Sequence, residues 1–265
     1  MCRWAAWRGS PLFLEDIVCA PTHSLVAQSH HARHGLTATN GDGFGIAWYG
    51  ERAEPGLYRE ILPAWSDCNL KSLARQIRSP LFLAHVRAST IGATQRANCH
   101  PFVHGRWSFM HNGHVGAFAR LERRLENRLC ERLYAERAGS TDSELLFLLA
   151  VQCGLTSDPR GAFEQAVRMV AEEAARAGVE TLVRLTAAFS DGVTLHAIRY
   201  ATDGKAPSLF MRTCARGGCR LVSEPLDDEG SQWQPVPEAS FVTAGDDGVR
   251  VDVFAPFGER LAMAV

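Results

Sequence analysis

Two blocks of short apolar runs, separated by a helical stretch, limit what this chain can fold into. The first block holds Phe44-Gly45-Ile46-Ala47-Trp48-Tyr49, the run 56–62, Leu81-Phe82-Leu83-Ala84-His85-Val86 and Trp107-Ser108-Phe109-Met110, each bounded by Gly, Pro, Asn or Asp. The second begins at Thr181. There the runs 182–190 and 193–201 flank Asp191-Gly192, and the runs 241–244 and 249–254 flank Asp246-Asp247-Gly248, two hairpin signals. Between the blocks, Phe118, Leu121, Leu125, Leu129 and Leu133 recur at spacings of three and four, which predicts one long amphipathic helix. Thr141-Asp142-Ser143-Glu144 opens an apolar helix with a capping-box pattern, and a third helix is expected over about 162–177. Strands, then helices, then antiparallel strands point to a layered α+β fold and away from a doubly wound parallel sheet. The absence of a glycine-rich phosphate loop agrees.

With 265 residues, 46% of them hydrophobic and 22% charged, the chain can bury a substantial core, and no linker or repeat divides it. A single domain over 1–265 is expected. The 28 basic and 29 acidic residues give a formal charge of −1 and are scattered, so no nucleic-acid footprint is indicated. The start lacks a signal-peptide apolar core, and no run approaches the ~18 apolar residues of a membrane span, so a cytoplasmic protein without a membrane partner is expected. In a reducing compartment the eight cysteines read as free thiols. Cys214 and Cys219 have no second pair at matching spacing and read as a turn, not a zinc site. His100, His104, His111 and His114 form a dense local cluster without a carboxylate partner, and no metal is expected there.

The chemistry starts at Cys2. A methionine aminopeptidase accepts a small second side chain, and removal of Met1 would leave a thiol and a free α-amine on one residue. That amine titrates near ~7.7–8.0 and can take up the thiol proton close to neutral pH. Three further segments hold unusual residues. Asn40-Gly41-Asp42-Gly43-Phe44-Gly45 leads into a strand with glycines that permit close backbone approach or serve as a plain turn. His85-Val86-Arg87-Ala88-Ser89-Thr90 places an arginine at a strand end, suited to a carboxylate of a substrate or of a neighbouring loop. Asn98-Cys99-His100-Pro101-Phe102 is followed by His111-Asn112-Gly113, where a side-chain amide and the next N–H can form an oxyanion hole, or the pair can be a hairpin turn.

Together with Met1-Cys2-Arg3-Trp4, Thr141-Asp142-Ser143-Glu144, the run Leu221-Val222-Ser223-Glu224-Pro225-Leu226 and Trp233, these segments resemble, in order, the class-II glutamine amidotransferases. These are Ntn hydrolases with an N-terminal cysteine, and the resemblance points to the small stand-alone, YafJ-like branch. It covers nearly the whole chain and implies a four-layer αββα sandwich of two stacked antiparallel sheets. It also implies Cys2 as the nucleophile, its α-amine as the base, and Asn112 with Gly113 as the oxyanion hole. Arg87 would hold the α-carboxylate of glutamine and Asp142 its α-ammonium, although an acid in a first helical turn is also favoured by the helix dipole alone. His100, His111 and Gly43 would position the others.

The reaction so implied is hydrolysis of glutamine to glutamate and ammonia through a γ-glutamyl thioester, with no cofactor. No acceptor domain follows in the sequence, so ammonia would pass to a separate synthetase subunit or be released. The alternatives are hydrolysis of a γ-glutamyl amide on another small molecule, as in the branch acting in ergothioneine synthesis, or a catalytically silent γ-glutamyl-binding regulatory subunit.

Overall fold

The computed structural model describes residues 2–33, 39–89, 94–180, 182–214 and 218–258. One sheet is built from β1 (Arg3–Phe13), β2 (Phe44–Tyr49), β3 (Gly56–Glu60), β4 (Arg78–Val86), β9 (Phe210–Cys214), β10 (Gly218–Val222) and β11 (Gln234–Pro235). Its order is β11-β9-β10-β1-β4-β2-β3. The other contains β5 (Phe102–His104), β6 (Trp107–Val115), β7 (Val183–Ser190), β8 (Leu195–Ala201), β12 (Ser240–Gly245) and β13 (Gly248–Val253), in the order β13-β12-β8-β7-β6-β5. The strand pairings are antiparallel in both sheets.

Period-two alternation divides the apolar residues among three cores. Along β1, Trp4 and Ala6 face the second sheet, where they join Leu81, Leu83, Met110, Ala188 and Val242. Ala5 and Trp7 face outward, onto the helices α1 (Glu15–Val18), α2 (Leu25–His30) and α3 (Cys68–Gln76). The far face of the second sheet packs Phe109, Leu185 and Phe189 against α4 (Phe118–Glu126), α5 (Glu131–Glu136), α6 (Asp142–Gln152) and α7 (Pro159–Ala177). Helix, sheet, sheet and helix thus form the four layers. The Tyr49 hydroxyl joins the two sheets, lying 2.8 Å from the Arg106 and Ser190 carbonyls and from the Ser108 hydroxyl.

The local expectations fare unevenly. β2 spans 44–49 as read from the sequence, and Asp246-Asp247 forms a two-residue turn between the paired Gly245 and Gly248. The expected long helix is instead two. Its chain breaks after Glu126, and the Gln152 side-chain amide takes up the backbone groups freed at the break, accepting from the Cys130 N–H at 2.6 Å and donating to the Arg128 carbonyl at 2.5 Å. All five apolar positions are buried nonetheless. Thr141 caps α6 through its hydroxyl, but Glu144 does not close a capping box; its carboxylate accepts from the Ala138 and Gly139 N–H groups. Cys214 and Cys219 end on the paired strands β9 and β10. Met1, Thr90, Thr181 and the residues between Cys214 and Gly218 lie outside the described residues. Among the described residues no helix is long and apolar enough to cross a membrane.

His196 is buried in the aromatic layer beside α7, stacked on Phe189 at 5.2 Å, with Trp107 and Phe241 nearby. Burial pushes its imidazole down to about 4, Asp191 opposing and Arg250 assisting. Below the ordinary imidazole range, near ~6.5, the unfolded chain takes up a proton that the folded chain refuses. Stability is therefore full above pH ~6.5 and falls toward pH 4, by up to about 1.4 kcal/mol per pH unit for one such group. His196→Phe keeps the stacking and removes the proton. Thermal melts between pH 7 and pH 4.5 are expected to show a shallower fall for the variant; an unchanged slope would refute this account.

Candidate active site

Cys2 immediately precedes β1, on the inter-sheet phase of Trp4 and Ala6. Arg3 pairs with Val86 and Phe44 pairs with Val86, so Cys2, Arg87 and Gly43 continue the ends of three neighbouring strands. The Cys2 thiol points at the Ala88 carbonyl, 3.6 Å away. Burial raises its pKa; the Ala88 contact and the charges of Arg87 and Arg3 oppose this in part. The resting group is a neutral thiol that needs a base to become a nucleophile.

Gly43 has no room for a side chain. Its φ is +110°, and a Cβ would stand 2.6 Å from Cys99 Sγ and 2.7 Å from the Glu60 carbonyl. Its carbonyl accepts from the Arg87 N–H at 2.8 Å, the Arg87 carbonyl accepts from the Asp42 N–H at 3.0 Å, and the Asp42 carboxylate accepts from the Ser89 N–H at 2.7 Å. This ladder holds the Arg87 backbone on both sides. The Arg87 guanidinium is buried but has only a long 3.4 Å contact to the Asp42 carbonyl and no ion pair among the described residues. A buried cation without a counter-charge is costly, which suits it to an anionic ligand.

The opposite wall comes from β6. Asn112-Gly113 is not a turn; it lies inside the strand, opposite Thr186 and Leu185 of β7. Asn112 follows the inter-sheet phase of Ser108 and Met110, and its buried Nδ2 has no protein partner. Gly113 is required by contact, since a Cβ would lie 1.9 Å from the Arg184 carbonyl oxygen and 2.4 Å from His111 Nε2. His111 faces the other way, toward α6. Its Nε2 donates to the Arg184 carbonyl at 2.9 Å, and its Nδ1 lies 2.9 Å from the Ser143 hydroxyl, which also stands 3.2 Å from Asp142 Oδ1. Burial lowers its pKa, so this neutral tautomer is the resting form. Asp142, half-buried at the first turn of α6, accepts from the Val115 N–H at 2.7 Å through Oδ2. It joins the group through β6 and makes no direct bond to Cys2 or Arg87.

The histidines do not converge. His100 stacks on His85 with ring centroids 4.2 Å apart, and neither of its ring nitrogens has a partner. His85 Nε2 donates to the His111 carbonyl at 3.2 Å, crossing from one sheet to the other. Burial pushes His85 to about 3 and His100 well below the usual range, so neither accepts a proton near neutral pH. His104 pairs instead with Glu136. Among the described residues no group of three or more His, Cys, Asp or Glu stands close enough to hold a metal.

Sequence reasoning gave no role to His85, Arg3 or Glu224. Arg3 and Glu224 form a buried ion pair at 2.8 Å, and Arg3 also donates to the Cys2 carbonyl at 2.8 Å. With the partners 221 positions apart in the sequence, no local pattern signals the pair.

Comparison with known proteins follows from this geometry. Residues 16–211 match the family profile described as glutamine amidotransferases class-II. The chain is 34% identical to the probable glutamine amidotransferase DUG3 of Saccharomyces cerevisiae, over 92% of this chain and 81% of the yeast protein. It is 31% identical to the gamma-glutamyl-hercynylcysteine sulfoxide hydrolase of Mycolicibacterium smegmatis, over 95% of this chain and 99% of that one. A solved glutamine aminotransferase class-II domain protein from Silicibacter pomeroyi superposes with a TM-score of 0.74 at 40% identity, covering 96% of this chain and all of the other.

Gly113→Ala forces a methyl group against the Arg184 carbonyl and is expected to cost about 1–3 kcal/mol, the usual range for overpacking. Gly245→Ala has open space around it and is expected to be near neutral. Thermal melts of the two variants check this; equal melting temperatures would contradict the contact.

Proposed function

The chain belongs to the class-II glutamine amidotransferases, and from its site we propose that it hydrolyses the amide of a γ-glutamyl group through a thioester on Cys2, glutamine being the simplest substrate. The observation that carries this reading is a partly buried thiol at the start of β1 and, on the facing strand β6, a buried amide donor with no protein partner among the described residues, Asn112 Nδ2.

With Met1 removed, the Cys2 α-amine takes the thiol proton and Sγ attacks the substrate's side-chain carbonyl carbon. Burial makes the neighbouring imidazoles too weakly basic to take the proton, which leaves this role to the amine. Negative charge gathers on the carbonyl oxygen, where Asn112 Nδ2 and the Gly113 N–H meet it. The C–N bond then breaks, the departing nitrogen takes the proton back from the ammonium, and a thioester remains. Water attacks the thioester and releases glutamate and the Cys2 thiol. Arg87 binds the substrate α-carboxylate, Asp142 binds its α-ammonium, and His100, His111 and Gly43 fix the positions of these groups.

The leaving group is ammonia if glutamine binds and an amine if a larger γ-glutamyl amide binds. The first matches the name of the yeast relative and the second that of the mycobacterial one. Released ammonia goes to solvent or to a separate synthetase subunit. A silent γ-glutamyl-binding subunit would need the clamp of Arg87 and Asp142 but not an unpartnered amide beside a thiol.

Turnover of glutamine and of γ-glutamyl amides with larger amines, followed by glutamate release, tests the reading. Cys2→Ala should abolish it, while Asn112→Ala should lower kcat by roughly 10²–10³ with little change in KM. Arg87→Met should act mainly on KM. An electrophilic glutamine analogue should add once, on Cys2, to protein lacking Met1. Full activity of Cys2→Ala would sink the scheme.

A further inference from the structure

Arg3 and Glu224 are each only 1% exposed, and the carboxylate between them is shared by three segments of chain. Oε2 accepts from Arg3 Nε at 2.8 Å; Oε1 meets His23 Nε2 at 2.6 Å and accepts from the Arg33 N–H at 2.7 Å. Gln28 Nε2 donates to the Glu224 carbonyl at 3.3 Å and the His23 carbonyl at 2.9 Å, so the backbone that carries the carboxylate is itself held. On the other side, Trp4 and Ser223 are bonded in both directions: the Trp4 N–H donates to Ser223 Oγ and the Ser223 N–H donates to the Trp4 carbonyl.

A buried ion pair is a poor source of stability. Its desolvation cost often exceeds its attraction, and packed apolar side chains of similar size usually do as well or better. What such a pair does well is fix direction. With Nε committed to Glu224, the planar guanidinium has one orientation, and in that orientation NH1 donates to the Cys2 carbonyl at 2.8 Å. That bond sets the peptide plane between Cys2 and Arg3, and with it the Cα that bears both the thiol and the α-amine. The need is specific to a nucleophile at a chain end. Terminal residues fray unless tied down, and the ladder pairing of β1 with β4 runs only as far as Arg3.

We propose that Arg3 and Glu224 act as a positioning pair that clamps the N-terminal residue so that thiol and amine are presented together to the substrate. This rests on the reading of Cys2 as the nucleophile. Arg3→Lys can keep the charge opposite Glu224 but loses the rigid planar fork that aims a second donor at the Cys2 carbonyl. Glu224→Gln keeps the shape and removes the counter-charge.

The test uses the processed full-length protein and reads three quantities: hydrogen exchange of the peptide covering residues 2–7, melting temperature, and kcat and KM for the preferred γ-glutamyl amide. Both variants are expected to speed exchange in the N-terminal peptide by about tenfold or more, with the β4 and β6 peptides unchanged. In both, kcat should fall roughly 10- to 100-fold at nearly constant KM. Arg3→Lys should do so with the smaller loss of melting temperature. Unchanged N-terminal exchange in Arg3→Lys would overturn the clamp, whether or not the protein turns over substrate. So would a kcat loss matched by exchange increases throughout the protein, which would mark a purely structural pair. If the wild-type protein neither turns over nor takes the adduct on Cys2, the functional reading fails, and the exchange data still decide whether the clamp exists.

Discussion

β1 is hydrogen-bonded along both edges, to β4 and to β10, so its alternation is fixed by two ladders at once. The site depends on that constraint. A slip of one residue would send Trp4 and Ala6 out of the inter-sheet core, where both are fully buried, and turn Cys2 toward the helices. The phase of β6 is held in the same way by Met110 on one face and Phe109 on the other. Two strands from different sheets, each locked by its own apolar residues, therefore deliver a thiol and an amide to the same narrow layer. No flexible loop has to carry either of them.

Burial then determines the chemistry of what is delivered. It holds the Cys2 thiol neutral and drives the imidazoles of His85, His100 and His111 to their neutral forms, since charging any of them there would go unsolvated. In such surroundings histidines are rigid plates and hydrogen-bonding spacers. His85 carries a bond from one sheet to the other and stacks on His100 without adding charge. Arg87 brings positive charge to the site, its backbone tied down by Gly43 and Asp42 and its guanidinium left with one long contact among the described residues.

How much of this was legible in the sequence depended on range. β2, the cap of α6 and the tight turn at Asp246-Asp247 rest on neighbours within a few residues, and the residue pattern shows them. Asn112-Gly113 carries a turn signal as strong as any in the chain, yet it sits mid-strand. The Arg184 carbonyl across the ladder requires the glycine there, and that carbonyl is invisible from the local sequence. The leucine series 118–133 gave the correct buried face and the wrong continuity, because the break is stabilised by Gln152, outside the series. The start of β1 shows no alternation because Arg3 to Trp7 are buried on both faces. The Arg3–Glu224 pair is the extreme case: its two ends meet only once β1 has paired with β10, which lies at the far end of the sequence.

The buried polar atoms that lack a protein partner bear on the same question. Among the described residues they include Arg3, Trp4, Gln28, Asn40, His85, His100 and Asn112, which gather around the start of β1 and the sites it touches, against isolated arginine Nε atoms elsewhere. Each such atom costs of the order of 1–3 kcal/mol, and a fold selected for stability alone would scatter or remove them. Among them, Asn112 Nδ2 is a donor already stripped of water. In the proposed reaction such a donor need not reorganise as charge appears on the substrate oxygen, and so gives its full effect. The stability lost at this end is offset by three apolar cores, one in each space between successive layers.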